Sequence, residues 1–203
     1  MNHPNTRRRT GRVLFALGAA LATVLAVSVP AQAGGNVVFR NHVTEKVSHI
    51  EQEEHPGEFC DVPYLVRYDA SVTVTEMLIR KGGGDLEYFS FHISARETYT
   101  NVDTGVSFRH DVVFSGRDQK LTLNDDGTLT VTAMDRFSEK VFDPDGKLVA
   151  HEAGIRAFAL VIDLNDPQDP EDDEVITETV TKDHGLRGFG DRNLCSDLDD
   201  FLG

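Results

Sequence analysis

Apolar and polar residues alternate with a period of two along most of the chain, as they do in strands that bury one face. From Val66 to Leu78, the residues Val66, Tyr68, Ala70, Val72, Val74 and Leu78 fall on one side. Arg67, Asp69, Ser71, Thr73 and Thr75 fall on the other. From Tyr88 to Tyr99, Phe89, Phe91, Ile93, Ala95 and Tyr99 oppose Ser90, His92, Ser94, Arg96 and Thr98. Asn101 to Gly105 supplies a turn, and Val106, Phe108, Val112 and Phe114 form the next apolar face. Two further hairpins are marked by Asp-Gly, at Asn124–Gly127 and Asp143–Gly146, because such turns need a residue tolerant of positive φ. Leu121 and Leu123 lead into the first of them, and Leu129, Val131 and Ala133 lead out. Phe142 and Leu148 flank the second. Ile155–Leu164 reads as a nearly continuous apolar strand and Val175–Lys182 as one more, while Val37-Val38-Phe39 opens like a weaker one. Helical spacing occurs only in the tail, at Leu194, Leu198, Phe201 and Leu202. The pattern predicts an all-β protein: an antiparallel barrel or half-open calyx of about eight to ten strands, with a short C-terminal helical turn.

The first 33 residues do not belong to that pattern. Arg7, Arg8, Arg9 and Arg12 precede an uncharged stretch, Val13–Val29, followed by Pro30 and Ala31-Gln32-Ala33. A basic start, an apolar middle and a small-x-small end read as a cleaved export signal. The lack of a cysteine after the apolar stretch argues against a lipid anchor. The expected organisation is a signal peptide over 1–33, an N-terminal extension over 34–58 and one β-barrel domain over 59–203. The mature chain would carry 16 basic and 34 acidic residues, a net charge of −18. That charge disfavours nucleic acid and anionic membrane surfaces and suits a soluble, secreted, extracellular protein.

Cys60 and Cys195 are the only cysteines. In an oxidising compartment, two cysteines most simply form one disulfide, here tying the start of the domain to its end.

The chain resembles a family of small secreted actinobacterial proteins. The resemblance rests on the Phe-Cys-x-x-Pro segment Phe59–Pro63, the turn Thr100–Gly105, the Asp-Gly-Thr-x-Thr-Val hairpin Asp126–Val131 and the late Cys195. It covers roughly Phe59 to Leu198, and it implies a lipocalin-like β-barrel and no activity.

Nucleophile, metalloprotease and phosphate-loop motifs are absent, and no cofactor is expected. Gly82-Gly83-Gly84 reads as a connection between strands. Polar residues interrupting the apolar faces are more informative. Glu76 lies in phase with Val72, Val74 and Leu78, Glu97 with Ala95 and Tyr99, and His110 with Phe108 and Val112. If the turn pairs residues whose numbers sum to 207, Glu97 opposes His110. A sum of 205 makes them diagonal neighbours, and only these two registers keep both apolar faces together. A carboxylate and an imidazole facing a barrel interior can hold a polar ligand group or exchange protons as acid and base. Glu97 and His110 are therefore the weak catalytic candidates, and Tyr68, Glu76, Phe91, Glu97, Tyr99 and His110 the expected ligand-contacting set.

Metal signals are weaker. Counting from Asp163 as an EF-hand loop, Asp163, Asn165 and Glu174 fit ligand positions, but Pro167 and Gln168 occupy the fifth and sixth. The seven histidines of the mature chain show no pair at close zinc-ligand spacing. The leading functional reading is a non-enzymatic secreted barrel that takes a small, largely apolar ligand in its interior. The alternatives are a barrel-type isomerase or cyclase using Glu97 and His110, and a cell-envelope or partner-binding protein working through a strand edge or the acidic loop. Oligomeric state is not encoded in any of these features.

Overall fold

The structure, a computed structural model, describes residues 37–81, 86–164, 173–186, 188–190 and 192–203. The N-terminal segment read as an export signal, the Gly82–Gly84 connection and Asn165 with the rest of the acidic loop to 172 lie outside these residues. Seven antiparallel strands run in sequence order: β1 (Val37–Ile50), β2 (Val66–Arg80), β3 (Glu87–Asn101), β4 (Ser107–Leu123), β5 (Leu129–Phe142), β6 (Leu148–Asp163) and β7 (Glu174–Leu186). Two helices are described, a single turn α1 (Glu51–Glu54) and α2 (Leu194–Leu202). Among the described residues no ladder joins β7 back to β1, so the sheet is a meander with two free edges rather than a closed barrel.

The fold is all-β as the alternation predicts, with seven strands among the described residues where about eight to ten are expected. The cause is local. In β4 the apolar phase is even at Phe108, Val112 and Phe114 and odd at Leu121 and Leu123. Two separate strands would explain that change. Instead, a register shift between Asp118 and Lys120 inserts one residue and lets a single 17-residue strand keep its apolar side on one face. The segments around Phe142 and Leu148 merge in the same way into long β5 and β6, with a shift between Val141 and Phe142. The hairpins themselves form where Asp-Gly places them. Asn124 N–H donates to Thr128 O at 2.8 Å with Gly127 at φ 88°, and Asp143 N–H donates to Lys147 O at 3.0 Å with Gly146 at φ 78°.

One face of the sheet carries the core in two separate clusters. At one end, Val66, Tyr99, Phe108, Val141 and Ala150 are buried beneath Leu198 and Leu202 of α2. The helix is held there by several unlike interactions. Asn193 and Ser196 cap its start reciprocally. Tyr64 Oη donates to Leu198 O at 2.8 Å, Asn101 Nδ2 donates to Leu202 O at 2.9 Å, and Cys60 is bonded to Cys195. At the other end, Leu121, Val131 and Ala133 are buried with Leu129, Phe158 and Leu160 against them.

Candidate functional site

The β3–β4 register is the one that pairs Glu97 with His110, Tyr99 with Phe108 and Thr98 with Arg109. His110 Nδ1 lies 3.1 Å from Glu97 Oε2. Tyr68 Oη donates to Glu97 Oε1 at 3.2 Å, and Tyr99 Oη donates to Oε2 at 3.4 Å. Glu97 is thus a buried carboxylate that collects three partners from β2, β3 and β4. The other ring nitrogen, His110 Nε2, is buried without a hydrogen bond and lies 3.8 Å from Glu139 Oε2. Phe189 closes over the imidazole edge-on at 6.4 Å between ring centroids.

Burial and charge pull on these groups in identifiable ways. Burial lowers the His110 pKa, but the hydrogen bond and charge of Glu97, with Glu139 and Asp197 behind it, outweigh this and raise it above 6.5. Burial raises Tyr68 and Tyr99 well above the usual phenol value, and the neighbouring Glu97 charge adds to it. Glu139 and Asp197 are also pushed up by burial, against the attraction of His110 for the first and Arg192 for the second.

The six residues expected to share a ligand site fall into two groups. Tyr68, Glu97, Tyr99 and His110 come together in the network just described. Glu76 and Phe91 face each other across the β2–β3 ladder, six residues further along, which is roughly 20 Å at strand rise. There Asn41 Nδ2 donates to Glu76 Oε2 at 3.3 Å, and the Phe91 ring lies over Gly116 and 5.0 Å from the Phe114 ring. The shared face is real, but strand length separates its polar members. Period-two reasoning identifies a face and says nothing about distance along it.

Asp163 and Glu174 are direct cross-strand partners at the loop end of the β6–β7 ladder, and both are exposed. Asn165, their expected companion, is outside the described residues. The structure instead brings together three residues that the search for zinc spacing misses. His49 at the end of β1, Glu51 in α1 and His55 just after it place one ligand atom each within 4.8 Å of one another. His49 Nε2 lies 3.8 Å from Glu51 Oε1, and His55 Nε2 lies 3.9 Å from Glu51 Oε2. The signal is present in the sequence as Glu and His four residues apart, which share a face only if the chain makes a helical turn there. The weak strand signal at Val37-Val38-Phe39 gives no hint of that turn. Burial raises the Glu51 pKa, opposed by His49 and His55.

Two concavities lie away from the ligand-contacting residues. One, of about 350 Å³, is lined by Ser48, His49, Ile50, Glu53, Glu54 and Arg67. The other, of about 460 Å³, has a mostly polar lining that includes Ser71, Thr73, Arg96, Asp111 and Lys140. No protein-family model matches the chain, and no curated protein or solved structure matches it either.

Proposed function

We propose that the protein is exported and binds a small, largely apolar molecule on the core face of its open sheet. The observation that carries this reading is one rung of side chains across five strands. Val43, Val74, Ile93, Phe114 and Phe137 are successive register partners, all half-buried, and none belongs to either buried cluster. An apolar band left partly accessible between two packed ends is the lining that a small apolar ligand requires. Export is supported by the arginine-led apolar segment at residues 7–33 and by the Cys60–Cys195 disulfide, which suits an oxidising compartment. The Glu97 network favours a binding protein over the isomerase or cyclase alternative. Its carboxylate oxygens are already engaged by two phenols and an imidazole, and Phe189 packs against that imidazole.

Native mass spectrometry of protein taken from culture medium tests the reading. The expected spectrum shows a chain beginning near Gly34 with extra mass that denaturation releases. The Ile93→Glu variant should lose that mass while keeping its β-sheet circular dichroism. A native mass equal to the denatured one, together with no saturable uptake of an apolar fluorescent probe, would overturn it.

A second reading has its own observation. All thirteen residues of β7 are exposed, including Val175, Ile176, Val180 and Leu186, and its outer edge is unpaired among the described residues. Such an edge accepts a strand from another protein. Thr179→Pro should then abolish capture of that partner from culture medium, and unchanged capture would dispose of the idea.

A further inference from the structure

We infer that His49, Glu51 and His55 form a binding site for a divalent transition-metal ion of the zinc type, independent of the ligand-binding reading above. Three features of the fold converge on it. First, the turn that presents the site is anchored. Gln52 Nε2 donates to Tyr64 O at 3.0 Å, Val66 N–H donates to Gln52 Oε1 at 3.0 Å, and His55 N–H donates to Glu51 O at 2.8 Å. The side chain of Gln52 thus pins α1 to the start of β2, while the helical turn stacks His55 over Glu51. His49 is carried to the same point by the β1–β2 ladder, where it pairs with Tyr68 and packs against its ring at 5.1 Å.

Second, the groups are poorly satisfied by the protein alone. His49 Nε2 is buried and has no hydrogen-bond partner. Glu51 is 7 % exposed, and among the described residues no Lys or Arg pairs with it. A buried carboxylate is normally paired or bound to a metal, and among the described residues the cationic partners within ion-pair distance of it are two imidazoles.

Third, the donor set selects the ion. Two imidazole nitrogens and one carboxylate oxygen suit zinc and its first-row neighbours, whereas calcium and magnesium prefer all-oxygen sites. Tetrahedral zinc places its ligand atoms about 3.4 Å apart. The atoms here are within 4.8 Å, and the half-exposed His55 ring is the one free to close the gap. Three protein ligands leave a fourth position for water or another small ligand. The cleft beside His49 adjoins it.

The test uses the mature protein, stripped with a chelator and then titrated with Zn²⁺ by calorimetry and with Co²⁺ by visible absorption. One Zn²⁺ per chain is expected, with visible Co²⁺ bands of a low-coordinate nitrogen and oxygen site. His55→Ala alters an exposed side chain and should leave the fold intact while weakening Zn²⁺ by about 100-fold or more. Glu51→Gln keeps the side-chain volume and should weaken it likewise. If Glu51→Gln unfolds, His55→Ala decides alone. Lack of Zn²⁺ uptake at about 100 μM, a level far above the affinity of a three-ligand site, would overturn the inference. Uptake unchanged by His55→Ala, or equal displacement by Ca²⁺, would do the same.

Discussion

Glu97 and His110 stand directly opposite each other on β3 and β4, with Nδ1 3.1 Å from Oε2. This one cross-strand pair joins the sheet register to the electrostatics of the capped end. Tyr68 and Tyr99 complete its hydrogen bonds, and Glu139 and Asp197 add negative charge around the imidazole.

Stability is expected to fall as pH rises through neutrality. His110 has a folded pKa above its ordinary 6.5. Its contribution is therefore fully present below pH 6.5 and is lost as pH climbs through the folded value. Burial also raises Glu139, Asp197, Asp118 and Asp135, so their contributions are present below the ordinary carboxylate values and fade as pH rises through the range just above them. Both sets act in the same direction. Chemical denaturation between pH 5.5 and 8.5 should show declining stability, and His110→Gln should flatten the upper part of the curve. A stability that rose over this interval would contradict the assignment.

Removing the shared carboxylate should be severe. Glu97→Ala strips the buried Tyr99 phenol, the half-buried Tyr68 phenol and an imidazole of their acceptor and is expected to cost about 3–5 kcal/mol, the range for breaking a buried pair. Glu97→Gln keeps an acceptor oxygen and should cost less. Equilibrium unfolding in urea at pH 6 separates the two. Equal losses would mean that charge, and not hydrogen bonding, dominates.

The helix cap offers a contrast between two leucines. Leu198 has 0 % exposure and Leu123 has 59 %. Leu198→Ala should cost about 2–5 kcal/mol through lost burial and a residual cavity. Leu123→Ala should stay within about 0.5 kcal/mol. Thermal melts of the two variants measure the difference directly.

The Cys60–Cys195 bond closes a loop with a sequence separation of 135. Chain-entropy arguments give roughly 5 kcal/mol for a loop of that size. The double variant Cys60→Ser/Cys195→Ser should therefore unfold at much lower denaturant. Limited proteolysis should cut it first within residues 188–203, where α2 loses its covalent tie. An unchanged midpoint would show that the noncovalent contacts of α2 suffice.

Phe91 owes its position to Gly116. A Cβ on Gly116 would collide with the Phe91 ring and with Asp135 Oδ1. Gly116→Ala should destabilise by about 1–3 kcal/mol through overpacking. Phe91→Leu in the same chain should relieve part of that cost, and a double-mutant cycle reads the coupling. Strict additivity would show that the ring does not need the glycine.

Much of this architecture is legible from single residues. The alternation around Tyr68, Glu97 and His110 places all three on the core face, because side-chain direction in a strand has a period of two whatever the tertiary context. The Asp-Gly turns at Gly127 and Gly146 are legible for a similar reason, since positive φ is a local demand. Leu194, Leu198, Phe201 and Leu202 likewise mark α2, whose buried side is set by the 3.6-residue repeat. Other features were settled only in three dimensions. Whether the even-to-odd change in β4 is a strand break or a bulge depends on the partner strand β5, which must keep its own apolar face aligned. The separation of Glu76 and Phe91 from Glu97 follows from the length of uninterrupted ladders. The meeting of His49, Glu51 and His55 depends on a helical turn pinned by Gln52 to Tyr64 and Val66, residues more than ten positions away. Which face each strand residue occupies is legible without the fold, since that is a property of the local backbone. Which polar groups share a site follows from the folded chain alone, because hydrogen bonds between distant segments set the distances.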